Sequence, residues 1–131
     1  MATNRTRSGA ASKVGEPGPT SSAIGGKLDA IHTLAGISFR DVAQLMNTTP
    51  ETVSRWRQGR VDPQPGRFRK LATLAWLAQE LSEFYSPSEA KLWLFTPQRL
   101  LGGATPADRI EQDRVEDVLA LIKQLQDGAF A

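Results

Sequence analysis

Eight polar side chains between Thr49 and Arg60 are of the kinds that recognise nucleic acid: Thr49, Glu51, Thr52, Ser54, Arg55, Arg57, Gln58 and Arg60. An arginine can bond both acceptors on a guanine edge at once, while Ser and Thr can contact bases or phosphates. Only two large apolar residues interrupt the series, Val53 and Trp56, one helical turn apart. That spacing predicts a helix with a narrow buried stripe and an outward polar face of a size to enter a major groove. Trp56 falls on the buried stripe, so it reads as core and not as a stacking platform.

Other chemistry is scarce. His32 is the single histidine and there is no cysteine, which removes thiolate nucleophiles, disulfides and thiolate metal sites. Without a second His or a Cys to share a metal, His32 reads as a surface or packing residue. Gly102–Gly103 is not a phosphate loop, since no strand pattern precedes it and no Lys-Ser/Thr comes after it. The acidic residues Glu111, Asp113, Glu116 and Asp117 gather where a helix starts, and the helix dipole is reason enough for them there. An enzyme is therefore not expected, nor a cofactor, nor a metal. No run of about 18 apolar residues exists to span a membrane, and the N-terminus lacks the apolar core of a signal peptide, so a cytoplasmic location is expected.

The polar series needs elements to hold it, and Ser38–Gly59, SFRDVAQLMNTTPETVSRWRQG, supplies them. Ser38 caps a first helix with Asp41 reaching back, and Val42, Ala43, Leu45 and Met46 give it an apolar face. Asn47, tolerant of positive φ, turns the chain. Thr49 caps the second helix and Pro50 suits its first position. Small Ala43, turn residue Asn47 and apolar Val53 and Trp56 fall where a DNA-binding helix-turn-helix requires them. Thr48 departs from the pattern, because an aliphatic residue is commoner at that turn position. A plain helical hairpin would show the same caps and turn; the kind of outward residue favours DNA. Charge points the same way. Residues 50–70 hold six basic and two acidic side chains, whereas residues 71–131 hold five basic and nine acidic. The cationic block spans the second helix of the motif and the residues directly after it, and the acidic remainder would be repelled by DNA. Two halves with different partners are expected.

Residues 1–22 are rich in Thr, Ser, Gly, Ala and Pro with almost nothing aliphatic, which predicts a disordered tail. A first helix is expected from Ile24 to Leu34, with Leu28, Ile31 and Leu34 on one face, stopped by Gly36. After Gly59, RVDPQPG is a loop, because two closely spaced prolines cannot continue a helix. The next pattern, from Phe68 through Leu71, Leu74, Ala75, Leu77, Ala78 and Leu81 to Phe84 and Tyr85, is long and its apolar arc is wide. Trp76 lies outside its main stripe. Such a helix suits a core that also meets a second copy of the chain. Ser86-Pro87-Ser88-Glu89 and Thr105-Pro106-Ala107-Asp108 are caps for two further helices. A last helix is expected over Asp113–Gln126, stopped by Gly128. The chain then ends in apolar Ala129-Phe130-Ala131.

This order of features resembles the Xre/MbcA/ParS family of antitoxins. The likeness runs from about Ser38 to Ala131 and is carried by ETVSRWRQG, then WLFTPQRLLGGATPADRI, then VEDVLALIKQL and a terminal GAFA. Trp93-Leu94, Pro97, Leu101-Gly102-Gly103, Thr105-Pro106, Val118 and Gly128 stand at the family's spacing. Many members have a glycine before the last helix, where this chain has Gln112-Asp113. The resemblance implies a cognate RES-domain toxin that consumes NAD, with its active-site entrance covered by the antitoxin's C-terminal region. It implies toxin contacts from Trp93, Arg99, Leu100, Leu101, Gly102, Gly103, Thr105, Pro106, Arg109, Gly128, Ala129, Phe130 and Ala131. It also implies a homodimer within a hetero-oligomeric complex that binds double-stranded operator DNA and represses its own operon. The expectation is thus an all-α chain in three segments: a tail at 1–22, a helix-turn-helix part at 23–66, and a dimerisation and toxin-binding helical part at 67–131. The alternative is a stand-alone dimeric helix-turn-helix regulator with no toxin partner.

Overall fold

The computed structural model describes residues 19–128, with side chains from residue 23 onward. Among these residues the fold is all-α. Helices α1 (Pro19–Ala35), α2 (Phe39–Leu45), α3 (Pro50–Gln58), α4 (Pro65–Ser82), α5 (Pro87–Leu94), α6 (Pro106–Glu111) and α7 (Val115–Gln126) run in that order, with a 3₁₀ turn at Arg99–Leu101 between α5 and α6.

Local sequence starts most of these helices. Ser38 and Asp41 exchange bonds of 3.1 Å each across the first turn of α2. Ser86 with Glu89 and Thr105 with Asp108 form the same reciprocal box on α5 and α6. Thr49 accepts from the Thr52 amide at 3.1 Å, and Pro50 occupies the first turn of α3. Each box satisfies amides that the first turn leaves without intrahelical partners.

Several boundaries differ from the sequence reading. α1 begins at Pro19 instead of Ile24, so residues 19–22, read as part of the tail, are helical; the rest of the tail lies outside the described residues. Pro65 and Gly66, read as loop, open α4, since proline at the first position loses no bond. At the far end Glu83 and Phe84 fall back to i−3 bonds, and the Ser86-Pro87 cap of α5 stops the helix. Phe84 and Tyr85 are therefore not on α4 as expected. The last helix starts at Val115, because Asp113 adopts φ +60° and leaves helical space.

Burial explains the assembly. Ile24, Leu28 and Ile31 of α1 lie along α4, whose Leu71, Leu74, Leu77 and Leu81 face inward. Val42, Leu45 and Met46 of the α2 segment, Val53 and Trp56 of α3, and Ala90 and Leu94 of α5 join the same cluster. Ile110, Val118 and Ile122 bring α6 and α7 into it, so one core runs through both halves of the chain. Gly36 shows how close the approach is. Its φ is +69°, and a Cβ there would stand 2.4 Å from the Pro87 carbonyl oxygen, so no other residue fits between α1 and α5.

Candidate functional site

Val53 and Trp56 are buried and pin α3 to the body of the chain. Opposite them Glu51, Ser54, Arg55 and Gln58 share an exposed face, with Gln58 Nε2 donating to Ser54 Oγ at 3.3 Å. Thr49 and Thr52 sit at the helix start, their hydroxyls 2.9 Å apart and committed to the cap. Arg57 is on the flank. Its Nε lies 3.3 Å from Asp29 Oδ1 and its guanidinium 5.1 Å from the centre of the Phe39 ring. Arg60 is exposed just past Gly59, whose φ of +77° ends the helix. Four of the eight predicted residues thus share one outward face, while the others cap or flank it.

Spacing alone did not place the turn between α2 and α3 against the C-terminal half. Asn47, at φ +56°, donates from Nδ2 to the Glu111 carbonyl at 2.8 Å, and its own carbonyl accepts from Arg67 at 3.3 Å. Beside it Lys70 Nζ bonds Asp113 Oδ1 at 2.7 Å. The elbow between α6 and α7 is held by these links to the turn that precedes α3.

The C-terminal candidates divide sharply by burial. Trp93, Leu101 and Pro106 are buried within the chain and contribute to its packing. Arg109 turns inward, donating to the Leu101 carbonyl at 2.8 Å with Asp117 3.6 Å away, and its Nε has no partner among the described residues. Thr105 is engaged as a cap. The bond from its amide, then that from its hydroxyl, holds the Asp108 carboxyl below the usual range, with a smaller contribution from Arg109. Arg99, Leu100, Gly102 and Gly103 face solvent in a loop closed by Gln98–Ala104 and Gly103–Gln98 bonds of 3.0 Å. Leu92 on α5, 68% exposed, and Phe95 at its end are further exposed apolar groups in this half. The sequence pattern had placed both on the apolar side of a helix. Gly128 ends the described chain at φ +73°, and Ala129, Phe130 and Ala131 lie outside the described residues.

Among the described residues no group of His, Asp and Glu could hold a metal ion, and no helix is long and apolar enough to cross a membrane.

No family model matches the chain. It is 35% identical over 95 residues to the mycobacterial cidal antitoxin MbcA of Mycobacterium tuberculosis and of Mycobacterium bovis, covering 72% of this chain and 84% of the relative. A probable mycobacterial cidal antitoxin of M. tuberculosis is 36% identical over 95 residues, 72% of this chain and 81% of that protein. One chain of the crystal structure of the M. tuberculosis MbcT–MbcA toxin–antitoxin complex superposes with a TM-score of 0.71 at 31% identity. That match covers 87% of this chain and 99% of that one. The all-helical chain is thus an antitoxin of a toxin–antitoxin system and not an enzyme. It belongs to the MbcA antitoxin family.

Proposed function

We propose that this antitoxin binds a cognate RES-domain toxin, covers the entrance to its NAD-degrading site, and represses its own operon by binding operator DNA as a homodimer. One observation carries the toxin reading: the fold matches, over 87% of its length, a chain crystallised in the MbcT–MbcA complex. The groups offered to the toxin are the exposed loop residues Arg99, Leu100, Gly102 and Gly103, together with the chain end from Gly128 to Ala131. Co-expression with the neighbouring gene product tests this. Co-purification of the two proteins and preserved cellular NAD are expected; a neighbour that neither co-purifies nor depletes NAD when expressed alone would overturn it.

DNA binding rests on a helix-turn-helix formed by α2 and α3, with Glu51, Ser54, Arg55 and Gln58 facing outward and Arg60 beside them. The six basic side chains of residues 50–70 supply the phosphate attraction. In a dimer two such helices would protect half-sites about 34 Å apart or a multiple of that. Footprinting on the upstream region with wild type and an Arg55→Ala/Arg60→Ala variant is the test. Loss of protection in the variant is expected, and equal protection by both would remove the assignment.

A further inference from the structure

A cleft of about 580 Å³ opens between the α2–α3 turn, the first turns of α4 and the α6–α7 elbow. Three cations line it, Arg67, Arg69 and Lys70, against one carboxylate, Asp113. Arg67 is steadied by its bond to the Asn47 carbonyl, and Arg69 is exposed. Lys70 differs from both. Its side chain is only 11% exposed, packed with its ammonium on Asp113, whose own side chain is 73% exposed. The nearby Glu111 lines the neighbouring groove and enters this network through its carbonyl.

The carboxylate is not required by the backbone. Asp113 stands at φ +60°, a conformation that glycine adopts freely and asparagine tolerates, so the turn itself does not call for a charge. Its Oδ1 bonds Lys70, on the wall of a cleft otherwise cationic. We propose that this cleft seats a DNA backbone phosphate held by Arg67, Arg69 and Lys70, and that Asp113 attenuates this binding by pairing with Lys70. The proposal rests on the operator-binding reading above. Guanidinium groups take phosphate oxygens two at a time, and an ammonium adds a point charge. The cations are spread along an open cleft instead of converging on an enclosed anion, which suits a backbone passing over the surface. Asn47, at the rim, leads within three residues into Pro50 of α3, so a phosphate here would fix that helix's register while carrying no sequence information.

The test is the salt dependence of operator binding by the full chain, using wild type, Arg67→Ala/Arg69→Ala and Asp113→Asn. Asparagine at positive φ keeps the turn while removing the charge. Each phosphate contact contributes about 0.9 to the slope of log affinity against log salt. The double variant is expected to flatten the slope by up to about 1.8 and to leave base preference unchanged. Asp113→Asn is expected to tighten binding several-fold and steepen the slope, at an unaltered melting temperature. Wild-type protein that binds neither operator nor unrelated DNA would overturn the operator reading and this inference together. Sequence-specific binding with the same slope in all three proteins would overturn the cleft alone. So would binding of inorganic phosphate, seen as amide shifts at Arg67 and Arg69, with DNA slopes unchanged.

Discussion

At the scale of single residues, Arg55 and Arg57 show how position decides between similar side chains. Arg55 is exposed on the outward face of α3, whereas Arg57 spends its guanidinium on Asp29 and Phe39. Arg55→Ala should therefore cost about 1–3 kcal/mol of operator affinity and relax preference at one base pair, if that arginine reads a guanine. Arg57→Ala should leave base preference unchanged and lower stability by no more than about 1 kcal/mol, as half-exposed pairs do. Binding across a panel of single-base operator changes, with melting curves alongside, separates the two. Gly36 is the other decisive residue. Gly36→Ala forces a Cβ onto the Pro87 carbonyl at a backbone conformation alanine disfavours, so a loss of at least about 1–3 kcal/mol is expected in chemical denaturation. Wild-type stability in that variant would mean that α1 and α5 can separate without cost.

Among the elements, the caps make the helices of the C-terminal half separable from the surface they expose. Thr105 is engaged at the start of α6, and Thr105→Ala should destabilise by about 0.5–2 kcal/mol. Titration tests the same boxes. The amide and then the hydroxyl of Ser86 hold the Glu89 carboxyl low, as those of Thr105 do for Asp108. Both folded values lie below the unfolded ones, so the stability they contribute is fully present above the ordinary carboxylate range. It is lost as pH falls through the lowered values. Carboxyl resonances of Glu89 and Asp108 should accordingly titrate at lower pH than those of a model peptide, and the first turns of α5 and α6 should loosen as they do. Ordinary titration of both would show that the boxes are open in solution.

For the whole molecule the consequence of one core is shared stability. Ile122 of α7 is fully buried in the cluster that also holds Val53 of α3. Ile122→Ala should cost about 2–5 kcal/mol and lower the melting of the α3 region equally, in a single transition monitored by amide exchange. Two transitions would mean that the halves fold apart. The chain end should behave oppositely. α7 closes at Gln126, and Ile122 is the last fully buried side chain described. Deleting Ala129–Ala131 should leave melting and operator binding intact while weakening toxin neutralisation, since burying a phenylalanine contributes about 1.5–3 kcal/mol. Toxin activity titrated against the full and shortened chains checks this, and superimposable curves would move the blocking surface to the loop carrying Arg99 and Leu100.

What sequence by itself determined is what neighbouring residues decide. Ser38, Thr49, Ser86 and Thr105 start their helices because a cap needs only the next three residues. Val53, Trp56, Leu71 and Leu81 are inside because their spacing gives them a common face. The family was legible from the same source, in motifs confined to short stretches. Tertiary structure decided whatever depends on which face meets which neighbour. Arg57 could be assigned to solvent or to Asp29 only once α1 lay beside α3. Trp93, Leu101 and Arg109 read as contacts for a partner, yet the packing of α5 on α6 turns them inward. The meeting of Lys70 with Asp113, and of Asn47 with Glu111, joins residues far apart in the chain. No local preference encodes those pairings; the shared core of α2, α4, α6 and α7 brings them together.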